Sequence, residues 1–367
     1  MESNRYDVVV VGAGIAGLTA AGAAAHQNLK VALVATGPGS FVLGTSSVKA
    51  HELLEAGQTH ELSEAIAFCR EMARLAGCPL EEDAADGRWL PTLLGAFQRV
   101  ALAPRALWQA APREGASAAV VGIHGLTTFD ENFMADRLNE NARRIGSSCI
   151  YTAHQISFTR DFGIPDSSVR VAKCFDRDPS FRAEFASALR KAVSGAQYIL
   201  LPGLLGMNSS AQQIAEFERE VGCAIGELPT LPPSIPSLRL SQRLEGYLRR
   251  AGVEFFRGYP VEQIEIHEDS PIRLQVASPG HPMILRGESV VLASGQHSAS
   301  LLGGQCAGRD QQMHPLTAAG SAMAQNLFVA GSLLDNGSGN SGEAIEILTG
   351  YRAGTLAAAT RGCYAGR

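Results

Sequence analysis

The residues of this chain that could do chemistry are first of all glycines. An apolar run, Val8–Val11, turns through Gly12-x-Gly14-x-x-Gly17 into an alanine-rich stretch beginning at Leu18. A buried strand followed by that spacing and a helix makes a phosphate cradle. Gly12 permits the tight turn, Gly14 lets a pyrophosphate reach the backbone, and Gly17 lets helix and strand pack closely. The helix start offers free N–H groups at Gly14, Ile15, Ala16 and Gly17. A second strand, Val31–Thr36, follows as the motif requires. It ends in Thr36 where an acidic residue would bind ribose hydroxyls, which argues against ordinary NAD use.

Groups that could move protons or hold anions are fewer. His124, His297 and His314 lie near the ends of expected strands and are the candidate bases for abstraction from an alcohol. Arg170 and Arg239 are candidates for an anionic substrate. No Ser/His/Asp set, HExxH or Walker-type loop is present. The cysteines Cys69, Cys78, Cys149, Cys174, Cys223, Cys306 and Cys363 are scattered with no CxxC pair, so no metal or cluster site is expected within the chain, and a reducing compartment is.

The elements that must position these groups read as α/β. Helix Glu61–Ala76 follows the first unit, and Gly77–Arg113 reads as irregular. A new alternation then begins: strand Ala118–Ile123, a helix Phe129–Arg144 opened by a Thr128/Glu131 capping box, and strand Cys149–Gln155. A helix capped by Asp178-Pro179, strand Tyr198–Leu201 and helix Ser210–Val221 complete it. The proline-rich passage Leu228–Pro236 reads as an extended return crossing. Helix Leu238–Ala251, strand Val253–Phe256 and a hairpin, Val261–His267 with Leu274–Ser278, come next. Strands Ser289–Gly295 and Asn326–Gly331 precede a glycine-rich turn and helix Glu343–Thr360. The expected architecture is a Rossmann-like domain built from residues 1–115 and 228–367, with a smaller α/β domain, 116–227, inserted.

With 367 residues, 46% of them hydrophobic and 18% charged, the chain can bury a sizeable core. A net charge of −5 without a basic stripe argues against nucleic acid. No apolar run is long enough to span a bilayer, and the few polar residues before the first strand give no secretory leader.

The glycine turn, the helix and strand leading to Val261, VVLASG (290–295) and NLFVAG (326–331) before a glycine-rich helix entry resemble, in that order, flavoproteins with two dinucleotide-binding domains. The stretches AAVVGIHGLTTF (118–129), ELPTLPPSIPSLRLSQRL (227–244) and HPLTAAGSAMAQNLFVAGSLL (314–334) are similar to the B subunit of the anaerobic glycerol-3-phosphate dehydrogenases, an accessory flavoprotein. That resemblance implies a flavin contacted by Ser46, Ser47, Val261, Ala293, Ser294, Gly295, Gly331, Ser332, Ser341 and Gly342 beside the glycine turn and Thr36. The last helix would aim its N-terminus at the flavin pyrimidine. The expected cofactor is FAD, with FMN, the flavin usually described for that family, as the alternative. The chain departs from the family in a shorter stretch between Gly295 and His314, in a histidine at 314 where arginine is typical, and in GNSGEA in place of a cysteine-containing glycine run.

The resemblance implies a flavin subunit of a membrane-associated, quinone-linked dehydrogenase complex. It would carry electrons between substrate or a catalytic flavin subunit and an iron–sulfur subunit. It would be cytoplasmic, peripheral to the inner membrane through that complex. A stand-alone flavin oxidase or dehydrogenase of a small hydroxy- or amino acid, and a non-catalytic assembly subunit, are the alternatives.

Overall fold

A computed structural model describes residues 4–55, 59–83, 86–158, 167–193, 195–267, 270–295, 300–304, 306, 308–331 and 342–364. The chain divides into two compact units. The first comprises Met1–Phe41, Glu52–Met72 and Leu244–Arg367; the second comprises Val42–His51 and Ala73–Arg243.

The first unit is built on a seven-stranded sheet. Strand β1 (Arg5–Val11) is flanked by β2 (Val31–Ala35), and β3 (Glu254–Arg257) pairs with β2; all three are parallel. Strands β4 (Val261–Glu265) and β5 (Ile272–Val276) form the expected hairpin. Strand β6 (Met283–Leu292) runs parallel to β1 and is long enough to serve two further partners. Its first half pairs antiparallel with β5, and Val290–Leu292 pair parallel with β7 (Leu327–Val329). Val8, Val9, Val10 and every residue of β2 are buried, as a parallel sheet covered on both faces requires.

Helix α1 (Ile15–Ala25) has ten of its eleven residues buried and almost no amphipathic character. Its partner is the last helix, α2 (Glu343–Tyr364). A Cβ on Gly350 would lie 2.3 Å from the Ala16 carbonyl oxygen, and one on Gly354 would lie 2.4 Å from that of Ala20. Small residues four apart on both helices thus bring backbone against backbone, and any larger side chain would force the pair apart.

The second unit contains a four-stranded parallel sheet in the order Ala224–Leu228, Tyr198–Pro202, Ser117–Ile123, Ile150–Ile156. One face is covered by a phenylalanine cluster, Phe175, Phe181, Phe185 and Phe217, whose rings meet edge-on or tilted at 5.0–6.4 Å. Asp178 caps helix Pro179–Ala192 and Ser210 caps Ala211–Val221 in a full capping box.

Four features differ from the sequence reading. Gly77–Arg113 is regular: Leu80–Glu82, Arg88–Pro91 and Val48–Lys49 all pair antiparallel with Phe97–Pro104. The helix opened by a Thr128/Glu131 box starts later, at Glu131, because the Asp130 carboxylate accepts from the Phe133 N–H at 2.9 Å. A helix at Ser168–Arg177, capped by Ser167, adds to the second unit. That unit reaches beyond residues 116–227 in both directions, since the turn at Gln109 and Ala110 packs directly on Gly226 of the parallel sheet.

Candidate functional site

A crevice of about 490 Å³ opens at the carboxyl ends of β1, β2 and β6 in the first unit. This is where an open parallel sheet binds its ligands. The floor is the turn Gly12–Gly14 with Ala16. One wall is Ala35 to Ser40 and another is Ala293 to Gly295; Tyr259 to Glu262, Ser300, Leu301, Gly331 and Glu346 add to the lining.

The turn is shaped by close backbone approach. Gly12 has φ +115, and a Cβ there would lie 2.4 Å from the Ala293 carbonyl oxygen; a Cβ on Gly17 would lie 2.0 Å from the oxygen of Gly12. Gly14 differs. It is the N-cap of α1 in an ordinary extended conformation, and its nearest neighbour to a Cβ is the Gly39 Cα at 3.9 Å. No side chain caps α1, so its first-turn N–H groups face the crevice side of the turn with the positive end of the helix dipole. The loop after β2 folds back to meet this turn, Gly39 donating its N–H to the Ala13 oxygen at 3.2 Å.

Of the residues singled out from sequence, Gly12, Gly14, Ala16, Thr36, Val261, Ala293, Ser294, Gly295 and Gly331 converge on this crevice. The Gly331 N–H itself donates to the Thr349 hydroxyl at 2.9 Å, tying the end of β7 to α2. Ile15 and Gly17 lie beneath the turn, Ile15 buried in the core and Gly17 against Gly12. Gly342 stands at the entry to α2, packed on Glu52. Ser46, with φ +49, and Ser47 belong to the second unit. His297, Ser332 and Ser341 lie outside the described residues.

None of the other described titratable candidates lines the crevice. His314 is buried: Nδ1 is 3.0 Å from the Leu327 oxygen, the ring is 4.8 Å from that of Phe328, and it does not line the crevice. His124 is an exposed residue of the second unit, its backbone N–H donating to Ile156 at 2.8 Å. Arg239, a candidate for anion binding, is instead fully committed within the second unit. Its guanidinium donates to Glu227 at 2.7 and 3.0 Å and to the Gly206 oxygen at 2.8 Å. Arg170 is an exposed helix residue.

Glu346 was not legible as a site residue. It is half-buried in the first turns of α2 and lines the crevice. Burial, and then the nearby carboxylates of Glu343 and Glu52, push its carboxyl up to about 7.

A glycine turn at the carboxyl end of a parallel sheet, an uncapped helix N-terminus and a crevice of this volume define a nucleotide-cofactor-binding α/β protein. The cradle fits a flavin dinucleotide: a side chain is sterically excluded at Gly12 and Gly17, and open space remains at Gly14. The chain belongs to the FAD binding domain family, whose model matches residues 7–48 and 40–262. It is a flavin-dependent oxidoreductase with FAD as its cofactor. The resemblance read from the sequence holds. The chain is 27% identical over 323 residues to the anaerobic glycerol-3-phosphate dehydrogenase B subunit of Yersinia enterocolitica, covering 79% of this chain and 74% of that one. It is 25% identical over 312 residues to the Actinobacillus succinogenes protein of the same name, covering 73% and 72%. Among solved structures, THI4 of Thermovibrio ammonificans aligns over 99% of this chain and 91% of its own, with 10% identity and a TM-score of 0.41.

Proposed function

We propose that this chain is the flavin subunit of a multi-subunit, quinone-linked dehydrogenase, carrying electrons between a substrate-oxidising flavin subunit and an iron–sulfur subunit. The observation that carries the reading is similarity to glycerol-3-phosphate dehydrogenase B subunits over 79% of the chain, a span larger than either compact unit supplies. When bound, FAD supplies the exchange between two-electron donors and one-electron acceptors that such a position requires. The residues of the chain bind and orient it. The α1 N-terminus and the Gly12–Gly17 turn take the pyrophosphate, and Thr36 offers a hydroxyl without charge at the ribose end. Val261 would stand beside the adenine, and Ala293 to Gly295 with Gly331 and Gly342 would flank the isoalloxazine.

Among the described residues no helix is long and apolar enough to cross a membrane, which fits attachment at the cytoplasmic face through partner subunits. No group of three or more potential metal ligands occurs among them, so iron–sulfur carriers would belong to a partner. Domain organisation in this reading follows the two compact units, the first holding FAD.

The test is affinity purification of the tagged chain from its native cells, followed by mass spectrometry of the released flavin and of the co-purifying chains. The expected result is FAD together with a co-purifying chain carrying iron–sulfur absorbance. A monodisperse lone chain that oxidises a substrate at full rate with an artificial acceptor would overturn the proposal.

A further inference from the structure

The cofactor that enters the crevice is an anion, and the crevice is poor in counter-charge. Among the described residues its lining contains no lysine, arginine or histidine and two carboxylic acids, Glu262 and Glu346. Glu262 is exposed, whereas Glu346 is half-buried and stands beside Gly331 at the end where α2 begins. Among the described residues, the charged groups that act on Glu346 are Glu343 from the same helix and Glu52 from helix Ala50–Glu55. Helix α1, packed along α2, carries no titratable residue. The titratable residues of β1 and β6, namely Arg5, Tyr6, Asp7, Arg286 and Glu288, lie at the ends of those strands remote from the crevice. The Arg352–Glu61 pair, at 3.3 Å, lies further along α2. A charged Glu346 would add negative charge to the lining of a crevice that must take a dianionic ligand.

We propose that Glu346 is a proton switch for cofactor loading: the crevice accepts FAD with the Glu346 carboxyl neutral and rejects it with the carboxyl ionised. The inference rests on the reading of this crevice as the FAD site. Its physical basis is that the neutral carboxyl adds a hydrogen-bond donor to the lining, while the ionised one presents only acceptors to the phosphate and carbonyl oxygens of the ligand.

A group that titrates near neutrality sets the size of the effect. If only the neutral form binds, the apparent affinity falls with the neutral fraction. For a midpoint of about 7, that is about a tenfold loss between pH 6 and pH 8. FAD itself does not titrate in this range. The experiment is FAD titration of the apo-protein by flavin fluorescence quenching at pH 6, 7 and 8 and constant ionic strength, for wild type and Glu346→Gln. Wild type is expected to lose about tenfold in affinity across the range, and Glu346→Gln to bind equally well throughout. A second measurement needs no variant. Calorimetric titration of wild type at pH 8, in two buffers of different ionisation enthalpy, should show uptake of about 0.9 proton per FAD bound. A variant whose affinity follows the wild-type slope, or wild-type binding without proton uptake, overturns the switch and leaves the FAD site standing. Failure of wild type to bind FAD at any pH overturns the site and the switch together.

Discussion

Replacing Gly14 by valine separates the fold of the glycine turn from its ligand chemistry. Gly14 has φ −70 and ψ 175, an extended conformation open to any residue, and a Cβ there finds nothing closer than 3.9 Å. The folded apo-protein should therefore lose only the difference between glycine and valine at an N-cap, about 1 kcal/mol. The cost falls on the ligand. A branched side chain at this position stands between the first-turn N–H groups of α1 and a pyrophosphate oxygen. Hydrogen bonds to a charged acceptor contribute about 1.5–3 kcal/mol each. Losing one or two of them weakens FAD binding roughly 100-fold. Gly17→Val is the contrasting variant, since its Cβ would lie 2.0 Å from the Gly12 oxygen and the turn itself must break. Urea denaturation of the apo-proteins and FAD titration by fluorescence quenching supply the two readouts. A Gly14→Val protein as unstable as Gly17→Val, or one that binds FAD within about threefold of wild type, would refute the reasoning.

Three further outcomes are expected. Gly354→Leu would push α2 away from the Ala20 carbonyl and should destabilise the protein by more than about 3 kcal/mol, seen as a large fall in the thermal midpoint. Arg239→Met leaves the Glu227 carboxylate buried with only the Leu204 and Leu205 N–H groups, and should cost about 3–5 kcal/mol in chemical denaturation. Glu346 has a carboxyl raised from 4.5 to about 7 in the folded chain, so its contribution to stability is intact below pH 4.5 and is lost as pH rises through about 7. Glu346→Gln should therefore be more stable than wild type at pH 8, by roughly 3 kcal/mol, with the advantage gone by about pH 4; equal stability at pH 8 would count against it.

What the sequence revealed was whatever local pattern controls. The β1–α1 turn was readable because a glycine motif has one geometry, and Asp178 and Ser210 because a cap is written within four residues. Gly77–Arg113 was not, since its strands are stabilised by pairing with Phe97–Pro104 and with Val48–Lys49, which no local periodicity announces. Asp130 displaced Thr128 as a cap because two candidates stood two residues apart and only the backbone turn decided between them. Glu346 could not be found for a related reason: its character depends on Glu52, nearly the whole chain away, and on a crevice formed by several separate segments. The histidines looked chemical because they flank expected strand ends, yet His314 is held by a backbone oxygen and an aromatic ring inside the core.

The backbone-to-backbone seating of α1 on α2 has a consequence for how the protein is made. Helix α1 leaves the ribosome long before the helix that buries it. Until α2 is synthesised, the small-residue groove of α1 has no partner, and the end of β7 lacks the threonine that anchors Gly331. Contacts of such sequence separation close slowly and late. The nascent chain must therefore carry an unfinished nucleotide cradle while everything between the two helices is made, exposed to the mispairing that such intermediates invite. FAD capture waits on the synthesis of α2, and a supply of the cofactor at that moment would determine how many new chains reach the native state.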